Sequence, residues 1–192
     1  ERIIELADAG ITLVGENREQ EARAKAEALD GRCEIAMIGQ IQSKKANAVA
    51  RWAAQVHSLD SVKLAHGLDR GMALALERGD RTTAILPCLI QLSDDGDTAR
   101  GGASYDDVPE IIEAVENSEH LRLDGFMVVP PLNSDPETVF RRARALVDDT
   151  SARLGRDLIL SAGMSGDFET AIACGSDLVR VGTALLGPRP VG

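Results

Sequence analysis

Short strand-like runs alternate with amphipathic helical segments through the whole chain, and that alternation leaves few folds open. The β-rich runs are residues 11–14, 34–38, 55–58, 82–92, 121–129, 158–161 and 177–181. Between them, apolar side chains recur at helical spacing, as in Val108, Ile111, Ile112 and Val115, or Val139, Phe140, Ala143, Leu146 and Val147, which describes helices with one buried stripe. Helix starts are marked as well: in Ser134-Asp135-Pro136-Glu137, Asp135 caps and Pro136 takes the first helical position. Strands that alternate with helices form βαβ units and hence a parallel sheet. The unbroken apolar run Ile85-Leu86-Pro87-Cys88-Leu89-Ile90 suits a strand covered on both faces, as in such sheets. Seven strand–helix units in one domain of 192 residues predict an α/β fold, a (β/α)8 TIM barrel. Closure needs an eighth strand. The chain opens in a helical stretch at residues 1–6, so the absent strand is expected to be the first, ahead of Glu1, and residues 1–192 are read as a single, N-terminally incomplete barrel domain.

Two of these strands end in an unusual way. Ser161-Ala162-Gly163-Met164-Ser165-Gly166-Asp167 and Val179-Arg180-Val181-Gly182-Thr183-Ala184 both pass from apolar residues to small and hydroxyl residues just before a helix. There the first backbone N–H groups are free to hold an anion. In the barrel these are the last two strands, where such folds often place a phosphate. Plain turn and cap roles for Ser165 and Thr183 remain open beside this reading. Arg180, among Leu178, Val179 and Val181, is costly to bury alone. It is either paired with a neighbouring strand or aimed into the barrel mouth.

Elsewhere the residues carry less. Gly15-Glu16-Asn17 and the run from Gly39 to Lys45 follow strands and so lie at the same rim, although turn chemistry also explains them. His57 reads more readily as a core histidine than as a base. The polar loop 93–102 is expected to be mobile, and its Asp94, Asp95 and Asp97 solvated, because the spacing and closing glutamate of a calcium loop are missing. A net charge of −10 without a clustered basic face argues against nucleic-acid or anionic-membrane partners. Cys33, Cys88 and Cys174 are isolated in apolar contexts and suit a reducing cytoplasm. No run reaches the length of a membrane span, and no metal set is expected.

These residues together resemble the pyridoxal-phosphate homeostasis family, whose members look like the barrel domain of fold-type III alanine racemases. The matching pieces are Gly15-Glu16-Asn17 with Gln20-Glu21, Ile38-Gly39-x-Ile41-Gln42-Ser43-x-Lys45, His57-Ser58-x-Asp60, Gly163-Met164-Ser165-x-Asp167 and Arg180-Val181-Gly182-Thr183-x-x-x-Gly187. The resemblance implies that pyridoxal 5′-phosphate is the cofactor, that Ser165, Gly182 and Thr183 hold its phosphate, and that Arg180 faces the pyridine nitrogen. It also places Asn17 and Met164 in the cofactor site. A guanidinium has donors and no acceptor, so it favours an unprotonated ring nitrogen and a poor electron sink. The implied role is cofactor storage and delivery, without catalytic residues and without robust turnover. PLP-dependent apoenzymes are the expected recipients, and the protein is expected to be a monomer.

The sequence departs from the family in three places. The family's Schiff-base lysine would lie on the absent first strand, so attachment through it is not expected in the chain as given. The four lysines, Lys25, Lys44, Lys45 and Lys63, fall in predicted helices or at a helix start. In the polar loop, Arg100 replaces a usual lysine, and Ala162 stands where methionine is common; both are expected to be tolerated. Two alternatives compete. An amino-acid racemase on this fold needs a tyrosine base and a second domain, whereas this chain has one tyrosine, Tyr105, and ends soon after its last strand. A phosphosugar isomerase or aldolase needs a rim carboxylate, for which Glu16 is the candidate.

Overall fold

The computed structural model describes residues 2–29, 31–97 and 101–187. Seven strands follow one another in chain order through one sheet: β1 (Leu13–Glu16), β2 (Glu34–Met37), β3 (Gln55–Leu59), β4 (Leu86–Leu92), β5 (Leu121–Val128), β6 (Ile159–Met164) and β7 (Leu178–Arg180). All six pairings are parallel. The helices between them are α1 (Arg2–Asp8), α2 (Glu19–Leu29), α3 (Ala46–Trp52), α4 (Val62–Arg78), α5 (Val108–Glu116), α6 (Pro136–Leu154), α7 (Phe168–Ala173) and α8 (Thr183–Leu186), with a 3₁₀ turn (Ser43–Lys45) before α3. The sheet curls into a nearly closed barrel: Arg180 on β7 reaches across β6 to the Val128 carbonyl on β5. The barrel fold expected from the alternation is therefore present, with β1 and β7 at the two ends of the strand order.

Burial follows from that closure. Cys88, Ile90 and Leu92 of β4 and Phe126 and Val128 of β5 pack against the apolar stripes of α4, α5 and α6, including Leu68, Ile111, Phe140 and Val147. Each such side chain contributes about 1.5–3 kcal/mol by leaving water, so the middle of the sheet is the firmest part. A smaller cluster of Ala22, Leu29, Cys33 and Ile35 lies under Ile3, Ile4 and Ala7 of α1. No described helix is long and apolar enough to cross a membrane. The three cysteines are buried and free.

Local chemistry places the boundaries. Asp135 caps α6, accepting from the Thr138 N–H at 3.1 Å, with Pro136 in the first turn. The run expected to be strand from residue 82 begins instead at Leu86, because Arg81 holds the preceding segment: its guanidinium donates to the Ala50 carbonyl at 2.6 Å and to Thr83. At the rim, Gly39 owes its identity to a close approach rather than to its backbone angles. A Cβ there would sit 2.0 Å from the Asn17 carbonyl oxygen, so the turns after β1 and β2 interlock.

Candidate functional site

The end of β6 is folded back tightly. Gly163 adopts φ +94°, and a Cβ on it would lie 2.6 Å from that of Ala171, so glycine is needed both for its conformation and for its small size. The Met164 N–H then donates to Asp167 Oδ1 at 2.7 Å, while Asp167 N–H donates to the Met164 carbonyl at 3.1 Å. This turn presents Ser165, whose hydroxyl oxygen accepts from the Ala184 N–H of α8 at 3.2 Å. Ser165 thus caps the helix after the next strand, not its own; α7 takes no side-chain cap. The contact joins the two motifs singled out in the sequence. It uses an acceptor lone pair and leaves the Ser165 hydroxyl proton to be donated elsewhere. Beside it, Gly182 and Thr183 are exposed, and a Cβ at Gly182 would meet nothing within 4 Å. Together these residues form an open cradle of hydroxyl and backbone donors, suited to an anion.

Arg180 forms the floor. It pairs in register with Met164 and donates to Ser161 Oγ at 2.6 Å and to the Val128 carbonyl at 3.0 Å. Both acceptors are neutral, and among the described residues no carboxylate forms a salt bridge with it, so pairing with a neighbouring strand takes the form of neutral hydrogen bonds. Burial pulls its pKa down to about 10, with Asp167 acting weakly in the opposite direction. The group therefore remains a cation at neutral pH. Of its five donors, two are used by Ser161 and Val128; the rest are available to an electron-rich partner. His57 is buried on β3, with Nε2 against Gln55 Oε1 at 2.9 Å. Burial, and then the Arg180 charge, lower its pKa to about 4. It is neutral and buried, as its sequence context suggested, with Nδ1 left without a partner among the described residues.

Asn17 sits apart from this cradle. It lines a cleft of about 230 Å³ in the barrel mouth together with Gly39, Gln40, Gln91, Ser93 and Met127. The structure thus brings Met164, Ser165, Arg180, Gly182 and Thr183 together and puts Asn17 across the same rim. Sequence reasoning missed Gln91 and Met127, and it read Ser161 only as part of a strand end. No spacing signal marks them.

The polar loop after β4 differs from expectation. Ser93, Gly101, Gly102 and Ala103 are buried, and Ala103 returns to β4 through paired backbone bonds of 2.8 Å with Gln91 and Ser93. Asp94 is not merely solvated but ion-paired with Arg142 at 3.1 Å. Arg100 lies outside the described residues. Glu16 is bound to Lys25 of α2, and Lys45 pairs with Glu19 at 3.6 Å; Lys44 and Lys63 are exposed. Tyr105 lies in the helical layer, between Val108 of α5 and Leu146 of α6, and burial raises its pKa to about 12.

Comparison with known proteins agrees with this geometry. The family model for the alanine racemase N-terminal domain matches residues 1–190. A pyridoxal phosphate homeostasis protein of Corynebacterium glutamicum is 55% identical over 186 residues, covering 97% of this chain and 84% of the relative. One from Mycobacterium tuberculosis is 43% identical, covering 94% and 75%. Among solved structures, PipY of Synechococcus elongatus with PLP bound superposes with a TM-score of 0.83 at 30% identity, covering 97% of this chain and 86% of PipY. An alanine racemase of Clostridium difficile shares the fold, with a TM-score of 0.71 at 15% identity over 99% of this chain and 49% of its own.

Proposed function

Because this chain belongs to the family of pyridoxal phosphate homeostasis proteins, built on the alanine racemase N-terminal domain, we propose that its cradle binds pyridoxal 5′-phosphate and that the protein stores and delivers this cofactor. The observation that carries the reading is the contact between Ser165 and the first turn of α8 directly beside Arg180. It sets anion donors and a ring-facing cation at adjacent strand ends. Ser165, Gly182 and Thr183 would hold the phosphate through two hydroxyls and backbone N–H groups. Met164 would border the ring, and Asn17 would approach it from the opposite rim. The bound cofactor supplies a reactive aldehyde and an electron-withdrawing ring.

Arg180 decides how far that chemistry goes. A charged guanidinium donates to the ring nitrogen and cannot accept its proton, so the ring stays a weak electron sink. Turnover on such a ring is slow, which suits a carrier better than a catalyst. A racemase reading finds no support in Tyr105, which packs in the helical layer and not at the cradle. A phosphosugar isomerase reading needs a free rim carboxylate, and Glu16 is engaged by Lys25. The free, buried Cys33, Cys88 and Cys174 fit a reducing compartment such as the cytoplasm.

Spectrophotometric titration with pyridoxal phosphate tests the site. The double substitution Ser165→Ala with Thr183→Val removes both hydroxyl donors while leaving the fold's core alone. Affinity should fall by at least about tenfold, the effect of losing one to two charge-assisted hydrogen bonds. Equal affinity in the two proteins would overturn the assignment.

A further inference from the structure

Of the four methionines in the chain, three are sealed in the interior: Met37, Met72 and Met127 are 1%, 0% and 2% exposed. Met164 is 39% exposed, at the lip of the cradle. An irregularity in the sheet sets its direction. Between β6 and β7, Ser161 pairs with Leu178 and Met164 pairs with Arg180, so three steps along one strand answer two along the other. A bulge of this kind re-aims the side chain that follows it. Strict alternation from Ser161, which accepts from Arg180, would put Gly163 on the face of that guanidinium and Met164 on the opposite face. The extra residue, absorbed where Gly163 takes φ +94°, turns Met164 to the face of Arg180 instead.

That placement matters because the side chain is oxidisable. Peroxide reaches an exposed thioether before a buried one, and sulfoxide formation turns a flexible apolar group into a polar one that carries an acceptor oxygen. The backbone holds the altered group in place: the Met164 N–H donates to Asp167 Oδ1 at 2.7 Å, and its carbonyl accepts from the Asp167 N–H at 3.1 Å. On the same face, Arg180 has donors that Ser161 and Val128 leave unused. A sulfoxide oxygen there would accept from the guanidinium and so compete for the donors proposed to face the pyridine nitrogen.

Resting on the cofactor reading above, we propose that Met164 is a redox-sensitive modification site: hydrogen peroxide converts it to the sulfoxide, which loosens the hold on pyridoxal phosphate, and bound cofactor shields the sulfur in return. The step balances with peroxide as its one co-reactant. A sulfur lone pair attacks one peroxide oxygen, the O–O bond breaks as the S–O bond forms, and the other oxygen leaves as water. Sulfur loses two electrons and the peroxide gains them. Enzymatic reduction of the sulfoxide regenerates the thioether, so the change is reversible.

Peroxide treatment of the intact protein, followed by peptide mapping and spectrophotometric titration with pyridoxal phosphate, tests the site. One added oxygen should appear on Met164 before any appears on Met37, Met72 or Met127, and more slowly when the cofactor is present. The oxidised protein should bind pyridoxal phosphate about tenfold more weakly, the effect of one hydrogen bond to a charged group. Methionine sulfoxide reductase should restore the affinity, which separates this loss from damage to cysteine. Met164→Leu, whatever its starting affinity, should lose none of it on the same treatment. Oxidation spread evenly over the four methionines, an oxidised protein that binds as the untreated one does, or an equal loss in Met164→Leu would each overturn the site while leaving the cradle assignment in place. An untreated protein that does not bind pyridoxal phosphate would overturn the cradle assignment, and this site with it.

Discussion

Single residues set the chemistry of this barrel through burial and orientation. Arg180 is the clearest case: an interior guanidinium held by a hydroxyl and a carbonyl, still charged at neutral pH although burial draws its pKa to about 10. Arg180→Leu keeps the volume and removes the donor proposed to face the ring nitrogen. The variant should stay folded but bind pyridoxal phosphate with a shifted absorbance maximum and an altered pH profile; superimposable spectra from pH 6 to 9 would assign Arg180 to packing alone. His57 makes a second prediction. Its pKa is lowered to about 4 in the folded protein against an ordinary 6.5, so between those values the unfolded chain holds more protons and stability falls as pH falls. Two and a half pKa units correspond to about 3 kcal/mol. Denaturant midpoints of the protein should drop more steeply from pH 6.5 to 4 than those of His57→Gln, and parallel curves would contradict the shift.

At the scale of elements, the rim is held by interlocked turns. A methyl group at Gly39 would strike the Asn17 carbonyl, and the clash involves backbone on both sides. Gly39→Ala should therefore cost about 1–3 kcal/mol, read as a lower denaturant midpoint, and should displace Asn17 from the cleft; an unchanged midpoint would show that the turn is free to move. Elements were also where the sequence spoke most plainly. The βα alternation, the capped start of α6 and the pairing of the Ser165 and Gly182-Thr183 strand ends were all legible, because each depends on local periodicity or on a cap. Gln91 was not. In a strand covered on both faces, such as Leu89-Ile90-Gln91-Leu92, alternation does not tell which face turns into the barrel, so its exposure to the cleft had no local signature. The loop after β4 misled for a related reason: its glycines and aspartates look solvated, but the return of Ala103 onto β4 and the reach of Arg142 from α6 are long-range contacts.

For the whole molecule, a single sheet brings together three things that the chain keeps far apart: the anion cradle at the ends of β6 and β7, the cation beneath it, and the amide-lined cleft beside β4 and β5. In the proposed reading the arrangement would bind and orient a phosphorylated aldehyde while Arg180 keeps its ring a weak electron sink, which is what a carrier of a reactive cofactor requires. A crystal structure of the protein soaked with pyridoxal phosphate tests this most directly. The account predicts the phosphate within hydrogen-bond distance of Ser165 Oγ and the Thr183 N–H, with the ring nitrogen facing Arg180. A phosphate seated instead in the cleft beside Gln91, with Ser165 and Thr183 untouched, would contradict it.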